Sequence, residues 1–445
     1  MRILYVSHLF LPRFSGGTEV LTFQVAREMQ RRGHAVEVLA CEDWQGAAPV
    51  AGADDRYEGV PVHRLQLNAA MSRDPVRAQY HFPAVEGYLL PRLRARPPDV
   101  IHVHHFGHVT TAVATAAFEL GIPVLFTATD FWLICPTAQL LRYDQSLCNG
   151  PTNISKCAKC VAATYRRARP YRGLLGAVPE PLFNFAVHHL APPLAALPPA
   201  RALAALVERA GWNRQIAAKF SRLLVASRFM REKFIENSLP AEKMELLGFG
   251  IDTAWAAELP PRQFASPLRV GFIGAFSPHK GAHILVEAFR RLKAGGRARL
   301  DLYGRLDFAP PYGDELQAAA RAVEGIRFRG AFPHQEIARV LGEMDVLVIP
   351  SVWYENSPLV LLTALAARLP VIVSDMGGLT ELVEDGGSGL VTPAGDAEAL
   401  AAALARCLGQ PELLPRLSRG RPPVKSIGTY ADELLARYPA ARAGR

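Results

Sequence analysis

Residues 268–281 read LRVGFIGAFSPHKG, and this stretch predicts a buried strand, a glycine-bearing loop and a helix start that carries one lysine. The apolar run at 268–273 is short and continuous, which is typical of a parallel strand covered on both faces. Lys280 stands at the helix start, where the helix dipole disfavours a cation unless an anion lies nearby. Lys280 is therefore a candidate ligand for a phosphate group.

Short apolar runs of the same kind alternate with amphipathic helical patterns along the whole chain, which predicts parallel sheets with helices on both faces. They form two series, at 3–6, 35–40, 60–65, 100–103, 124–127, 223–226 and 244–247, and then at 268–273, 299–303, 326–328, 346–349, 371–373 and 390–391. We expect two Rossmann-like, doubly wound α/β domains that face each other across a cleft.

The domain boundaries follow from the turn-forming residues between the two series. We expect an N-terminal domain at 1–250, a proline-rich linker at 251–266 and a second domain at 267–425. A final helical pattern at 426–438 is predicted to pack back on the first domain. Residues 129–215 exceed an ordinary connection and are predicted to be an insertion that forms a lid or docking surface.

The composition of the chain excludes several classes of protein. Its 445 residues are 50% hydrophobic and 20% charged, which fits two or three folded domains and excludes a disordered chain. No apolar run reaches the roughly 20 residues of a membrane span. The net charge is +9, but no basic run is interleaved with aromatic residues, so we expect no nucleic-acid partner.

The positive charge leaves two interpretations open, a solvated basic face and attraction to an anionic surface or acceptor. The insertion contains Arg166, Arg167 and Arg169 beside apolar helical segments. We therefore expect a cytoplasmic protein and consider peripheral contact with the inner face of the membrane through the insertion.

Four of the six cysteines are crowded into 26 residues of the insertion. Four thiolates are the number that a tetrahedral structural zinc site requires, and two of these cysteines have the Cys-x-x-Cys spacing. A set of buried reduced thiols accounts for the cluster equally well, so the sequence leaves both interpretations open for Cys135, Cys148, Cys157 and Cys160.

A glycine turn follows the first predicted strand and opens a helix. Gly16 and Gly17 lie in this turn, where backbone N–H groups can approach a diphosphate. Neither domain contains the Gly-x-Gly-x-x-Gly or P-loop motif, so nicotinamide enzymes and P-loop NTPases are not expected.

A polar turn ends the predicted strand at 346–349. Ser357 is predicted to cap the next helix, with Pro358 at its first position, and Glu355 lies just before them. Ligands of open α/β sheets bind at this edge, and a carboxylate there suits sugar hydroxyls. Gly377 and Gly378 follow the next strand and are expected to line the same cleft.

Taken together, these residues resemble the group 1 glycosyltransferases of family 4, which are retaining GT-B enzymes that use nucleotide-activated sugars. The resemblance spans nearly the whole chain. It is carried by the Gly16-Gly17 loop, the sequences RGHAV at 32–36 and DVIHVH at 99–104, Gly250-Ile251-Asp252, Lys280-Gly281, Pro350-Ser351 with Glu355, and Gly377-Gly378 before Glu381.

The resemblance implies a role for each matching position. The Gly17 N–H would contact the donor diphosphate, Lys280 would bind its charge, and Glu355 would hold hydroxyls of the transferred sugar. The family needs no catalytic metal. The complete expected donor site consists of Gly16, Gly17, Lys280, Arg305, Glu355, Asn356, Ser357, Pro358, Leu359, Thr363, Gly377 and Gly378.

The chain departs from the family pattern at three positions. Thr363 stands where the family has a second glutamate, which puts ribose binding in doubt. Ala275 stands where the family often has an arginine, which leaves Lys280 with less support unless Arg305 takes over the role of that arginine. Thr129 replaces a histidine before Asp130.

We expect a retaining glycosyltransferase that transfers a sugar from a nucleoside-diphosphate donor to a saccharide or lipid-linked acceptor, in cell-envelope or exopolysaccharide synthesis. Lys280 and Glu355 are the expected catalytic residues, and His102 or Asp130 would orient the acceptor. A nucleotide-sugar-binding protein that has lost turnover is the main alternative, and another GT-B activity such as sugar-nucleotide epimerisation is a third.

Overall fold

A computed structural model describes residues 1–164, 178–191, 193–194, 196–264 and 266–440 of the chain. The chain forms two compact units. Unit 1 consists of Met1–Gly248 together with the C-terminal residues from Ile427, and unit 2 consists of Phe249–Ser426.

The sheet of unit 1 has eight strands in the order β3-β4-β2-β1-β5-β6-β7-β8. Every pair is parallel except β3 with β4. The strand order reverses direction at β1, as in a doubly wound sheet. The strands are β1 (Arg2–Ser7), β2 (Ala35–Asp43), β3 (Val50–Tyr57), β4 (Val60–Leu67), β5 (Val100–Val103), β6 (Val124–Ala128), β7 (Arg222–Val225) and β8 (Met244–Leu246).

Strand β3 is the strand of this sheet that the apolar pattern did not predict. Five of its eight residues are exposed, and three of these five are charged, because β3 lies at the edge of the sheet and pairs only with β4. The connection consists of Glu58 (φ 43°) and Gly59 (φ 82°). Two successive left-handed residues form the tight turn that joins antiparallel strands, so the chain reverses here without a helix.

Helices pack against this sheet, and three of the helices that the structure describes belong to the predicted insertion at 129–215. These three helices, α4 to α6, pack on one another through a small apolar cluster of Ile154, Cys157, Ala158, Phe183, Val187 and Leu206. The helices of unit 1 that precede unit 2 are α1 (Gly17–Arg31), α2 (Pro83–Ala95), α3 (Ala112–Glu119), α4 (Ile154–Thr164), α5 (Glu180–His189), α6 (Pro198–Ala218) and α7 (Arg228–Glu236). The arginines at 166, 167 and 169 lie outside the described residues.

The sheet of unit 2 has six strands in the order β11-β10-β9-β12-β13-β14, and every pair is parallel. Val346 and Val348 of β12 pack in one apolar cluster, whereas Leu347 and Ile349 pack in another. Because side chains alternate along a strand, both faces of β12 are buried. The strands are β9 (Leu268–Ile273), β10 (Ala298–Tyr303), β11 (Ile326–Gly330), β12 (Val346–Ile349), β13 (Val371–Ser374) and β14 (Leu390–Thr392).

The segment expected to be a linker, 251–266, is packed against unit 2 over its described residues. It contains the first helix of this unit, and Arg262 donates hydrogen bonds of 2.8–2.9 Å to the carbonyl oxygens of Leu341, Met344 and Ala367. The helices of unit 2 are α8 (Ala254–Ala257), α9 (Ala282–Leu292), α10 (Pro310–Arg321), α11 (Ile337–Gly342), α12 (Leu359–Ala366), α13 (Leu379–Leu382), α14 (Ala397–Gly409) and α15 (Leu413–Gly420).

The last described helix, α16 (Ile427–Leu435), returns to unit 1 and packs against α1. Arg32, at the end of α1, donates a hydrogen bond of 2.7 Å to the carbonyl oxygen of Gly428. Beyond the helix, the hydroxyl of Tyr438 lies 3.0 Å from the hydroxyl of Tyr5 in the central strand β1. The C-terminal residues therefore complete the core of unit 1.

Within the described part of the chain, every helix is too short or too polar to cross a lipid bilayer.

Candidate functional site

The loops that follow β9, β12 and β13 meet at one edge of the sheet in unit 2. These strands are parallel neighbours, so their carboxyl ends lie at the same edge. Gly281, after the first loop, has a φ of 72°, and a Cβ there would lie 1.8 Å from the carbonyl oxygen of Pro350 in the second loop. Val352 N–H also donates to the carbonyl oxygen of His279, at 2.9 Å. The close approach of the first two loops therefore requires glycine at position 281.

The two predicted catalytic residues of unit 2 form an ion pair at this edge. Lys280 Nζ lies 2.7 Å from Glu355 Oε1, although 75 positions separate them in sequence. The same oxygen accepts hydrogen bonds from the Ser351 hydroxyl at 2.7 Å and from Trp353 Nε1 at 2.8 Å. The Lys280 ammonium also lies 4.8 Å from the centre of the Trp353 ring.

These contacts keep Glu355 ionised in a buried position, with 5% of its surface exposed. Burial alone would raise the pKa of Glu355, but attraction to Lys280 and the hydrogen bonds from Lys280, Ser351 and Trp353 outweigh it, so the net shift lowers the pKa. All three hydrogen bonds end on Oε1. None of the three uses Oε2, which can therefore accept a hydrogen bond from a ligand hydroxyl.

Gly377 and Gly378 belong to the same constellation, as the sequence predicts. The Gly378 N–H donates a hydrogen bond of 2.7 Å to the carbonyl oxygen of Glu355. Gly377 has a φ of 55°, and a Cβ on it would lie 2.3 Å from that same oxygen. The third loop thus fixes the backbone of Glu355.

The helix after Glu355 begins later than predicted. Ser357 was expected to cap it, but the capping position is Pro358, with ψ 127°, and α12 starts at Leu359 without a side-chain cap. Asn356 and Ser357 are both buried beside Glu355. Thr363 donates from its hydroxyl to the carbonyl oxygen of Leu359, at 2.6 Å, so its side chain turns back into the helix.

Arg305 is not brought into the Lys280–Glu355 ion pair. It follows β10, the strand next to β9, so it starts at the same edge of the sheet. Its guanidinium forms two hydrogen bonds to Asp307, at 2.8 and 3.0 Å, and the side chain is 63% exposed. To bind a phosphate, Arg305 would have to leave Asp307.

In unit 1, Gly16 and Gly17 open α1 just after β1, as the glycine turn predicts. A buried carboxylate already lies at this helix start. Oε2 of Glu19 is 2.6 Å from where a Cβ on Gly16 would be, so position 16 has no room for a side chain. Burial raises the pKa of Glu19, and hydrogen bonds from the backbone of Glu19 and Gly16 partly oppose that shift.

Asp130 forms a pair with a histidine that the sequence did not single out. His105 Nε2 lies 2.6 Å from Asp130 Oδ2, and the Gly107 N–H donates to His105 Nδ1 at 2.7 Å. Because Nδ1 accepts a hydrogen bond, the proton of the neutral ring is on Nε2 and points at Asp130. Asp130 Oδ1 also accepts from the Trp132 N–H, at 2.9 Å, so the carboxylate orients the imidazole.

A second histidine lies against this pair. The ring of His8, directly after β1, is 4.0 Å from the ring of His105, centre to centre, and its Nε2 is 3.2 Å from Glu19 Oε1. Among the described residues, Nδ1 of His8 has no hydrogen-bond partner. Burial and the neighbouring His105 and His108 lower the pKa of His8 well below its usual value, so the ring is neutral near pH 7.

The expectation that His102 orients an acceptor is wrong. This residue is fully buried in β5, and both ring nitrogens are engaged, Nδ1 with the Tyr438 hydroxyl and Nε2 with the Thr127 hydroxyl, each at 2.7 Å. Its side chain lies in the core formed with the C-terminal residues. His102 is therefore a structural residue.

An exposed tryptophan lies close to this group of polar residues. Trp44, after β2, is 41% exposed, and its ring stacks on that of His108 with 4.6 Å between centres and an angle of 11° between planes. Phe14 lies 6.0 Å away on the loop before α1. The indole thus has a fixed orientation and an accessible surface.

The four clustered cysteines line a single cavity in unit 1. Each is a free thiol, and Cys135 and Cys157 are buried. Burial raises the pKa of Cys157 to about 12 and that of Cys160 to about 11, and the neighbouring thiols add to both shifts because negative charges on them would repel.

His8, Glu19 and His105 were not proposed as site residues from the sequence. His8 and His105 each stand one or two positions after a buried strand, whereas Asp130 was named from the family resemblance. Glu19 lies in the first turn of the helix after the glycine pair. The strand-end rule could have found both histidines.

The site and the two sheets define a protein of the GT-B class. A family model of the glycosyl transferase 4-like domain matches residues 16–250, and one of the group 1 glycosyl transferases matches residues 267–410. The first match alone covers more than half of the chain. The chain therefore belongs to the glycosyl transferase 4-like family, and the family predicted from the sequence is confirmed.

Relatives of known name are also glycosyltransferases. The amylovoran biosynthesis glycosyltransferase AmsK of Erwinia amylovora is 32% identical over 225 residues, which are 48% of this chain and 54% of that protein. A GDP-mannose-dependent alpha-mannosyltransferase of Mycobacterium tuberculosis is 25% identical over 446 positions, which cover 100% of this chain and 98% of that protein. The chain spans about half the length of the first curated relatives that it matches.

A solved structure with a similar fold is that of HepE from Anabaena in complex with UDP and glucose. The TM-score is 0.64 with 17% sequence identity, and the similarity covers 98% of both chains. This likeness confirms the predicted fold class of two Rossmann-like α/β domains of the GT-B type.

Proposed function

We propose that this protein is a retaining glycosyltransferase that moves a sugar from a nucleoside-diphosphate donor to a saccharide or lipid-linked acceptor. The observation that carries the proposal is the buried ion pair of Lys280 and Glu355, held by three loops at the carboxyl edge of the sheet in unit 2. A nucleotide sugar presents phosphate charge and hydroxyl groups together, and this pair offers an ammonium for the first and a carboxylate for the second.

Each residue of the pair has a separate task in the proposed reaction. Lys280 neutralises the negative charge that develops on the departing nucleoside diphosphate, which lowers the barrier to breaking the glycosidic bond. Glu355 accepts hydrogen bonds from sugar hydroxyls through Oε2. The N–H groups at the start of α12 and the glycines at 377–378 assist with the phosphates and the sugar. We assign no side chain as a covalent nucleophile.

Unit 1 supplies the acceptor site in this proposal. His8, oriented by Glu19, presents a neutral imidazole at the carboxyl end of β1. His105, whose two ring nitrogens bond to Asp130 and to the Gly107 N–H, packs against the ring of His8. Nδ1 of His8, which has no partner among the described residues, can accept the hydrogen bond of an acceptor hydroxyl and so orient that hydroxyl. The exposed ring of Trp44 provides an apolar surface on which a sugar ring can stack.

Incubation of the pure protein with uridine, guanosine and adenosine diphosphate sugars tests the donor half of the proposal. Release of nucleoside diphosphate that increases with a saccharide or lipid-linked acceptor supports transfer. Nuclear magnetic resonance of the product then compares the anomeric configuration with that of the donor. Retention is expected, whereas an inverted product or release of free nucleotide without transfer would contradict the proposal.

The acceptor half is tested by His105→Gln and Asp130→Asn. Both variants are expected to lower turnover at saturating donor and to leave donor affinity unchanged, because neither side chain belongs to the expected donor site. Trp44→Ala is expected to raise the KM for the acceptor with a smaller effect on kcat. His63→Gln is the matched control, since His63 bonds to Asp54 and Tyr88 in the hairpin region.

A binding protein without turnover is the second candidate, and one observation favours it. Thr363 replaces the second glutamate of the family pattern, and its hydroxyl is engaged with Leu359. A site that lacks this carboxylate would bind the nucleotide less firmly. Thermal stabilisation by a nucleotide sugar with no product in the presence of acceptors would establish this function.

We further propose that the protein acts in the cytoplasm, in cell-envelope or exopolysaccharide synthesis, and contacts the membrane through its insertion. Five of the ten exposed large hydrophobic residues in the described part of the chain lie between positions 182 and 197. Leu182 and Phe185, on α5, are 60% and 57% exposed. The sequence shortly before them contains four arginines at 166–172, which suits an anionic bilayer.

Flotation with vesicles tests this contact. The full-length protein is expected to float with phosphatidylglycerol vesicles and to float less when Leu182 and Phe185 are both replaced by Ser. Phe308→Ser is the control, because Phe308 is 61% exposed but lies in unit 2. Flotation that is absent, or equal in all three proteins, would contradict the membrane proposal.

A further inference from the structure

The cysteine cavity of unit 1 is built from two separate pieces of chain. Cys157 and Cys160 lie three positions apart on α4, so both side chains project from one face of the helix. Cys135 and Cys148 come from the loop between β6 and α4. They therefore approach the helix from a different part of the backbone, and all four residues line the same cavity.

The loop has a defined structure that holds its two cysteines in place. Leu141 and Leu147 form an antiparallel bridge, which closes a short turn between them. The Cys148 N–H donates to the carbonyl oxygen of Leu140, and the Cys135 N–H donates to that of Phe131, both at 2.8 Å. The backbone positions of both cysteines are thus set by hydrogen bonds that do not involve sulfur.

The sulfur atoms themselves make only weak contacts. Cys135 Sγ lies 3.3 Å from the Thr137 hydroxyl, and Cys148 Sγ lies 3.4 Å from the carbonyl oxygen of Gly150. Thiols form weak hydrogen bonds, so rotation about the Cα–Cβ bond of either residue costs little. The side chains can therefore rearrange around a ligand without movement of the backbone.

The four sulfur atoms are not yet at metal-bonding distance from one another. Among the described residues, three potential metal ligands have donor atoms within 4.8 Å of one another at Glu37, Asp54 and His63, but not at the cysteines. The guanidinium of Arg92 already bonds to the two carboxylates of that group, so the bonded oxygens are not open to a metal ion. Zinc–sulfur bonds of about 2.3 Å place sulfurs about 3.8 Å apart, so the thiols must turn inward.

We propose that Cys135, Cys148, Cys157 and Cys160 bind one zinc ion as four thiolates. Four sulfur ligands close the tetrahedral shell and leave no position for a substrate, so the site is structural. Each cysteine releases its proton to solvent when zinc binds, and the cation offsets the repulsion among the four thiolates that form. The ion joins the loop after β6 to α4, on which α5 and α6 pack.

The metal content of the full-length protein decides the proposal. Protein purified under reducing conditions without chelator is expected to contain one zinc per chain by plasma mass spectrometry. Titration with a mercurial reagent should release that zinc as four thiols react. Protein without stoichiometric metal, protein with iron in place of zinc, or a disulfide among the four cysteines detected by alkylation and mass spectrometry would each overturn the proposal.

Variants of the cysteines show where the zinc is bound. The double change Cys157→Ser and Cys160→Ser is expected to abolish stoichiometric zinc and to increase proteolysis within the insertion. Cys41→Ser and Cys407→Ser are the matched controls, because both residues are buried free thiols away from the cavity. Zinc retained by the double variant would contradict the assignment, and the mercurial titration of the unaltered protein gives an answer even if that variant does not fold.

Discussion

Glu355 shows how a buried charge is stabilised by its neighbours. Removal of a carboxylate from water is costly, and one cation with two neutral donors offsets that cost at Oε1. The arrangement also keeps Lys280 at a fixed point, because the ammonium is held by the carboxylate and by the ring of Trp353. The pair is thus held in one geometry before any ligand binds.

Lys280→Ala is expected to lower the transfer rate by about a hundredfold or more, because the charge on the leaving diphosphate loses its counterion. Lys280→Arg should recover part of this loss. Initial rates at varied donor concentration measure both effects. Arg305→Ala is the control and should change the rate much less, since its guanidinium is exposed and held by Asp307. An unchanged rate in Lys280→Ala would show that the ion pair is not the donor site.

The meeting of the first two loops in unit 2 depends on one glycine. Gly281 combines a left-handed φ with close contact to a neighbouring loop, as Gly377 does in the third loop. A side chain at position 281 would separate Lys280 from the loop of Glu355. Loop contact therefore sets the geometry of the pair.

Gly281→Ala and Gly386→Ala form a matched pair. Both glycines are left-handed, at 72° and 71°, but only Gly281 has an atom within 4 Å of an added Cβ, the Pro350 oxygen at 1.8 Å. Gly386→Ala should lower the free energy of unfolding by about 1 kcal/mol through backbone strain alone. Gly281→Ala should lower it further and weaken donor binding. Denaturant unfolding and donor titration measure the difference, and identical behaviour of the two variants would contradict this role of Gly281.

Tyr438 connects the C-terminal residues to the central strand of unit 1. Its hydroxyl contacts the Tyr5 hydroxyl and His102 in the interior. Tyr438→Phe should lower the free energy of unfolding by about 1–3 kcal/mol, because buried polar atoms lose a partner. The double variant Tyr438→Phe and Tyr5→Phe should lose less free energy of unfolding than the two single variants lose together. Strict additivity in denaturant unfolding would rule out the coupling.

Buried strands such as β12 were predictable from sequence, because a short apolar run bounded by turn residues and without polar alternation is typical of a strand covered on both faces. Strand β3 was not, since Asp54 and Asp55 are exposed at the edge of the sheet and resemble a loop. Lys280 and Glu355 were predictable one by one from strand ends. Their direct contact was not, because it depends on three loops that glycines bring together.

The choice among neighbouring histidines also required the structure. His102, His104 and His105 lie close together around the end of the strand predicted at 100–103, and the sequence does not indicate which of these side chains turns into the core. His102 turns toward Tyr438, which is 336 positions away, whereas His105 turns toward Asp130. A long-range contact of this kind leaves no local pattern in the sequence.

Several buried histidines make the whole molecule sensitive to acid. Burial lowers the pKa of His104 to about 3, and burial with the neighbouring His105 lowers that of His108 to about 4. In the unfolded chain both titrate near 6.5, so below that pH the unfolded chain binds protons that the folded chain does not. Stability therefore falls as the pH drops from about 6.5 to about 4, by about 2 kcal/mol at pH 5 for a fully buried histidine such as His104.

Urea unfolding between about pH 7 and about pH 5 measures this loss. His104→Gln removes one titrating group, so the variant should show a shallower dependence on pH than the unaltered protein. The Thr22 hydroxyl lies 2.8 Å from His104 Nδ1 and can still form a hydrogen bond to the side-chain amide of the introduced glutamine. A midpoint that does not change with pH would contradict the prediction.

The return of α16 to unit 1 has a consequence for synthesis on the ribosome. Unit 2 is encoded as a continuous stretch, so it can fold as soon as that stretch has left the exit tunnel. Unit 1 lacks α16 and Tyr438 until unit 2 has been translated, and His102 and Tyr5 remain without their partner during that time. The half of the protein that is translated first is consequently the last to mature.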